Sequence, residues 1–242
     1  MQLYFIRHGQ SENNLLWAQT GSFEGRSEDP GLTHTGRQQA EALAQFLARP
    51  GPVGADRRMD HDPQNLAGFA LTHLYCSLMV RAVVTGTILS RALNLPLVAW
   101  RDLHEVGGIH YKDVQTGERI GLPGKNHDYF ERHHPELILP ESLGEGGWWD
   151  RPYEERDQRA ARARRFLSDL LEKHGASDDR VAAVSHGGFF RHLMRAMLGL
   201  PEVEGLWFTL NNAAITRIDF DGEWTWVSYM NRVSFLPPEL IT

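Results

Sequence analysis

The chain has 242 residues, 41% hydrophobic and 23% charged, enough to bury a sizeable core in a single domain spanning 1–242. A formal net charge of -6 argues against nucleic acid as a partner, and a single cysteine, Cys76, excludes an intrachain disulfide and a thiolate metal cluster. With neither a membrane-length apolar run nor a charged leader ahead of an apolar stretch, the expectation is a cytoplasmic protein with no membrane partner.

In chain order, Leu3 to Ile6 is an apolar run expected to form a buried strand, and it delivers Arg7-His8-Gly9 to its exit. Asn14 and the pair Thr20-Gly21 fall in the loop that follows; the plain reading of Asn14 is that it satisfies backbone groups there. Thr33 is placed to cap a helix whose apolar positions Ala40, Leu43, Phe46 and Leu47 recur at helical spacing, and Pro50-Gly51-Pro52 stops it. The polar stretch Pro50 to Asn65 reads as a surface loop. Ala70 to Cys76 predicts a second strand, then Val80, Val83, Val84, Thr87 and Ile88 mark a helix with Arg81 in its first turn. Leu97 to Trp100 predicts a third strand, and Leu103-His104-Glu105 leaves it at the same sheet edge as His8.

The alternation then breaks. Val106 to Pro152, rich in glycine and histidine, reads as a lid-like insertion at about 106–152. Its Trp148 and Trp149 suit three roles: capping a pocket with a preference for an aromatic or apolar group, anchoring the insertion to the core, or joining two copies in a homodimer. A helix from about Glu154 to Lys173 follows, with Ala163, Phe166, Leu167, Leu170 and Leu171 on one face. Its arginines from Arg156 to Arg165, interleaved with acids, read as a solvated face. Val181 to Val184 predicts another strand, which exits into Ser185-His186-Gly187-Gly188 and a last helix carrying Phe189, Leu193, Met194 and Met197. Ile215 to Phe220 and Trp224 to Tyr229 flank Asp221-Gly222, the pattern of an antiparallel hairpin.

Strands alternating with helices predict an α/β fold, a three-layer α/β/α sandwich with a mainly parallel sheet and an antiparallel C-terminal hairpin. The strand exits of such a sheet line one crevice, so His8 and His186 are expected to converge. A neutral imidazole is a competent nucleophile toward phosphorus and would form a phosphohistidine. Arg7, Arg81, His186 and the amides near Gly9 and Gly187 are the candidates to hold the transferring phosphoryl group. A leaving alkoxide needs a proton; Glu105 is the first choice to supply it, with Glu12, Asp102, Glu118 and Glu145 as competing carboxylates. His104, His110, His127, His133 and His134 show no HExxH-type spacing and read as surface histidines, so no metal and no other cofactor is expected.

At this point the chain resembles the histidine phosphatase superfamily, branch 1, also called phosphoglycerate mutase-like. The resemblance rests on Arg7-His8-Gly9, on Ser77 to Thr85 as Ser-x-x-x-Arg-Ala-x-x-Thr, on Glu105, on Ser185 to Gly188, and on Gly31-Leu32-Thr33-x-x-Gly36. It implies that His8 is the phosphorylated nucleophile, that Arg7, Arg81 and His186 form the phosphate pocket, that Glu105 is the proton donor, and that Asn14, Thr20 and Gly21 contact substrate phosphate. The implied partner is a small phosphorylated metabolite, hydrolysed as a phosphomonoester; the alternatives are mutase-type phosphoryl transfer and a non-catalytic phospho-ligand-binding protein. Hydrolysis is favoured because Glu105-Val106-Gly107-Gly108 and Lys125-Asn126 do not reproduce the mutase pattern. Lys112, Arg119 and Lys125 leave a sugar bisphosphate open as substrate.

Overall fold

The structure is a computed structural model that describes residues 1–52, 62–201 and 205–242; residues 53–61 of the expected surface loop lie outside the described residues. In chain order its elements are β1 (Gln2–Arg7), α1 (Glu12–Thr20), α2 (His34–Leu47), β2 (His73–Cys76), α3 (Val80–Leu93), β3 (Leu97–Ala99), β4 (His110–Lys112), β5 (Arg119–Gly121), α4 (His127–His133), β6 (Leu137–Ile138), α5 (Arg156–His174), β7 (Arg180–Ser185), α6 (Gly187–Met197), β8 (Ile215–Phe220) and β9 (Thr225–Arg232). Seven strands form one sheet in the order β6-β3-β2-β7-β1-β8-β9, parallel from β6 to β1 and antiparallel at β8 and β9.

Alternation along β1 divides the core. Leu3 and Phe5 face one side, where they pack with Phe166 and Leu170 of α5 and with Phe189, Phe190 and Leu193 of α6. Tyr4 and Ile6 face the other, against Leu43 and Leu47 of α2 and Ala82, Val83 and Leu89 of α3. The three-layer sandwich with its C-terminal hairpin is therefore present, and its central strands are apolar on both faces because helices cover both.

Local details depart from the sequence-based expectation for identifiable reasons. The second strand begins at His73 rather than Ala70, because Ala70 takes a positive φ of 45° that cannot continue a strand. The stretch after Ser11 is a helix, α1, started by a capping box in which the Ser11 hydroxyl accepts the Asn14 N–H and the Asn14 Oδ1 accepts the Ser11 N–H at 3.1 Å. None of its residues is buried, so it shows no apolar period to read. The insertion adds β6 to the sheet edge beside β3 and folds β4 and β5 into a separate two-stranded ribbon. Trp148 and Trp149 are buried in the core cluster with Phe130, Leu137 and Leu143, so their packing is that of anchors.

The arginine face of α5 is only partly solvated. Arg162 is buried and its guanidinium meets the Glu154 carboxylate at 2.6 and 2.8 Å, while its Nη1 donates to the carbonyls of Asp102 and His104 at 2.6 and 2.9 Å. Glu154 in turn accepts the Gly107 N–H at 3.2 Å. This pair straps α5 to both flanks of Glu105.

Candidate active site

Register brings the two strand-exit histidines together: Arg7 pairs with Ser185 and Cys76 with Val184, so β1, β7 and β2 end side by side. The rings of His8 and His186 stand 5.0 Å apart, centroid to centroid. The His8 backbone N–H donates to Ser185 O at 3.0 Å, and its carbonyl accepts from Ala213 N–H at 3.2 Å and Asn212 Nδ2 at 3.1 Å. His8 Nδ1 lies 2.6 Å from Gly9 O. A carbonyl only accepts, so Nδ1 carries the proton and Nε2 the lone pair. Arg81 Nε–H donates to that Nε2 at 3.1 Å. Burial, reinforced by Arg81 and Arg7, holds the His8 pKa well below the usual imidazole range, leaving the ring neutral. His186 is likewise buried and pushed down, chiefly by desolvation and then by Arg81, with Nε2 2.9 Å from Ser77 Oγ.

The glycine after His8 is required by close packing. A Cβ on Gly9 would stand 2.3 Å from Gly36 O, and one on Gly36 would stand 2.1 Å from Gln10 O, so the first turn of α2 presses directly on the loop that leaves β1.

Two arginines flank His8. Arg7 donates from Nη1 to Leu210 O, and burial lowers its pKa to about 10, with Glu105 acting the other way. Its buried Nε has no hydrogen-bond partner among the described residues. Arg81, in the first turn of α3, contacts Met79 Sδ at 3.2 Å and lies 3.8 Å from Asp29 Oδ1. Asp29 also accepts the Val80 N–H at 3.0 Å; burial pushes its carboxyl up to about 6 against the pull of Arg81.

Glu105 sits on the amino end of α6. Oε1 accepts from Val106 N–H at 2.7 Å and Phe189 N–H at 2.9 Å, and Oε2 from Gly188 N–H at 3.1 Å. A Cβ on Gly188 would stand 2.4 Å from Glu105 Oε1, so this carboxylate needs glycine there.

A cavity of about 630 Å³ opens over these groups, lined by Arg7, His8, Arg81, Glu105, Gly187 and Asn14 among others. His186 is not part of the lining, although its ring stands 5.0 Å from that of His8, which is. Thr20 and Gly21 do not line it: α1 carries them away, Thr20 Oγ1 donating to Leu16 O at 2.7 Å and Gly21 closing the helix at φ 64°. Asn14 lines the cavity while its Oδ1 is held by Ser11 and by Asn212 Nδ2 at 3.2 Å, so its side chain serves the loop as well. Lys112, Arg119 and Lys125 are absent from the lining; Arg119 lies over the Tyr153 ring at 4.8 Å and Lys125 over Tyr129 at 4.8 Å, so neither presents a second phosphate site there.

Other participants were not legible in the sequence. Arg26, Asp29 and Asn212 come from irregular segments with no periodicity, and only their contacts in three dimensions reveal them. His104, His110 and His134 are buried rather than on the surface: His104 packs on Trp149 at 4.6 Å and His110 lines the cavity, where burial pushes it down to about 4. Metal-compatible groupings among the described residues are His73, His174 and Asp179, and His127, Asp128 and Glu131; neither lines the cavity.

Comparison with known proteins gives a consistent picture. Residues 3–56 and 61–232 match the profile of the histidine phosphatase superfamily (branch 1). The protein named "Putative phosphoserine phosphatase 2" of Hydrogenobacter thermophilus is 27% identical over 241 residues, covering 96% of each chain. The "Probable phosphoglycerate mutase GpmB" of Photorhabdus laumondii is 24% identical over 220 residues, covering 91% of this chain and 85% of its own. The crystal structure of phosphoserine phosphatase from Entamoeba histolytica in complex with 3-phosphoglyceric acid shares the fold, with a TM-score of 0.60, 20% identity, and coverage of 98% of this chain and 99% of that one.

Proposed function

The chain belongs to branch 1 of the histidine phosphatase superfamily, and from that premise we propose that it hydrolyses the phosphomonoester of a small metabolite through a phosphohistidine at His8. The observation that carries this reading is the state of His8: neutral, with its Nε2 lone pair directed at Arg81, between two arginines and beside His186.

Arg81 moves its Nε–H from His8 to an incoming phosphate oxygen, which frees Nε2 to attack. The N–P bond forms as the P–O bond to the alcohol breaks, and the departing oxygen takes a proton from Glu105. Arg7 and Arg81 balance the negative charge that spreads over the equatorial oxygens, His186 supports the pocket from beside His8, and the buried Arg7 Nε–H without an internal partner suits phosphate binding. Water then attacks phosphorus, Glu105 accepts its proton, the N–P bond breaks, and phosphate leaves. The segment 106–152 borders the cavity through Val106, Gly108 and His110 and so takes part in choosing the alcohol.

Hydrolysis fits better than mutase transfer, because the mutase requires a second anion site and Lys112, Arg119 and Lys125 all lie outside the cavity. All five proposed groups are protein side chains, so turnover is expected to persist with a chelator. No helix among the described residues is long and apolar enough to cross a membrane, and the buried thiol of Cys76 suits the reducing cytoplasm proposed as its location.

The test is p-nitrophenyl phosphate hydrolysis with excess chelator, combined with rapid quench into alkali. The expected result is steady turnover and an alkali-stable, acid-labile phosphoryl label on the protein, both lost in His8→Ala. Turnover without label, or label that survives His8→Ala, rejects the mechanism. Isomer exchange of a phosphoglycerate primed with bisphosphoglycerate, if faster than phosphate release, replaces hydrolysis with the mutase reading.

A further inference from the structure

Four aromatic side chains contribute to the lining of the cavity. Trp17, Phe23 and Trp207 line it while remaining 49%, 56% and 65% exposed, and Phe208 lines it beside them. Large aromatic rings in water at the mouth of a site are a cost to the free protein and a gain once an apolar group covers them.

We propose that these rings form a subsite for an aromatic ring on the leaving alcohol, so that the preferred substrates are phosphomonoesters of aryl-bearing alcohols. The inference rests on the reading of His8 as phosphoryl acceptor, which fixes the phosphate end of the cavity.

One wall is built by α1 and its exit. Trp17 and Phe23 stack with centroids 4.5 Å apart and planes 22° from parallel. The left-handed Gly21 makes this contact: its N–H donates to Trp17 O at 2.8 Å, Thr20 Oγ1 accepts the Ser22 N–H at 3.1 Å, and the chain doubles back so that Phe23 meets Trp17. Thr20 and Gly21 thus reach the site by shaping its aromatic wall.

A second pair of rings comes from the segment that precedes β8. Phe208 meets Phe190 of the core edge to face at 6.2 Å, which anchors the segment, and the Arg191 guanidinium lies 4.4 Å from the Trp207 ring centre. Val106, Met79 and Leu210 add apolar surface to the same lining.

The charges present do not favour a second anion. Beyond Arg7 and Arg81, the cavity lining contains one further arginine, Arg26, and Glu28 lies in the same lining and acts on its charge. Arg26 Nη1 is also 3.4 Å from His110 Nε2. A carboxylate or second phosphate would compete with Glu28 for one cation, whereas an aryl group would find two ring walls. A cavity of about 630 Å³ is in the range that encloses a ligand with a ring as well as a phosphate.

The test compares 3-phenylpropyl phosphate with propyl phosphate, whose reacting ends are chemically alike, and with phosphoserine. Binding of 3-phenylpropyl- and propylphosphonate to the wild-type protein is measured by calorimetry in parallel. The phenyl ring is expected to raise kcat/KM roughly 10- to 100-fold, mainly through KM, and to raise phosphonate affinity by a similar factor. In a Trp17→Ala/Trp207→Ala double variant both ratios should fall to within about threefold of one, as expected when two ring contacts are removed. Equal affinity of the two phosphonates, ratios unchanged in the double variant, or phosphoserine as the better substrate overturns the proposal. Phosphonate preference with no hydrolysis of any ester would leave the subsite standing and reject the phosphatase reading; hydrolysis with no preference would do the reverse.

Discussion

A methyl group on Gly188 can be fitted only if the neighbouring side chains move, because it would meet Glu105 Oε1 at 2.4 Å and Val106 Cγ2 at 2.9 Å. Gly188→Ala must therefore push the carboxylate off the Gly188 and Phe189 amides that hold it. If Glu105 protonates the leaving oxygen, this substitution lowers kcat on an alkyl phosphate by roughly 10²- to 10⁴-fold, the usual contribution of a positioned acid. Hydrolysis of p-nitrophenyl phosphate, whose phenolate departs with little help, falls far less. Steady-state kinetics on the two esters decides, and equal losses on both would point to a damaged phosphate pocket instead. At this scale the residues that end strands were readable from sequence, because an apolar run followed by Arg-His-Gly or Ser-His-Gly-Gly states both a place and a chemistry. Arg26, which lines the cavity, and Asp29, which backs Arg81, were not, because a charged residue in an aperiodic loop carries no mark of the partner it will meet.

Among elements, α5 does more than cover the sheet. Its Arg162 ties Glu154, Asp102 and His104 together around the loop that presents Glu105. Arg162→Ala leaves the Glu154 carboxylate buried without its cation, and removal of one partner of such a pair costs about 3–5 kcal/mol. Urea unfolding should show a loss of that size, and a loss below about 1 kcal/mol would mean that the pair is solvated like an ordinary surface bridge. The sequence presented Arg162 as one arginine in a mixed charged face, since periodicity separates apolar from polar positions and cannot tell which polar one lies beneath a neighbouring loop. The long central elements were legible because their apolar residues repeat at the helical or strand period. By contrast, α1 buries nothing and β6 has two residues, too few for any period. The fate of Trp148 and Trp149 depended on where the insertion folds back, a long-range fact that composition does not contain.

At the level of the whole molecule, buried histidines set the acid limit. Burial holds His8, His104 and His186 well below the ordinary imidazole range and pushes His110 down to about 4. The unfolded chain titrates these groups near 6.5, so as pH falls from about a unit above that value it binds more protons than the folded state and stability declines; at higher pH they contribute little slope. Asp29 acts in the opposite direction. Its folded value of about 6 against an ordinary 3.8 means that the folded state takes up its proton first, offsetting part of the loss between those two values. Burial lowers His134 as well, so one raised carboxyl stands against five lowered imidazoles and leaves a net decline. Urea midpoints should be level above about pH 7.5 and fall progressively from there to about pH 5.5; a midpoint that rises between about pH 6.5 and 5.5 would contradict this balance. The sheet order also fixes when catalysis can begin. Strand β1 lies between β7 and β8, so His8, the proposed nucleophile, is made well before either of the strands that flank it. A nascent chain that ends after Glu105 can pair β2 with β3 but lacks both strands that flank β1 and the α6 amides that hold the Glu105 carboxylate, so the proposed pocket stays incomplete until β7, α6 and β8 have been made.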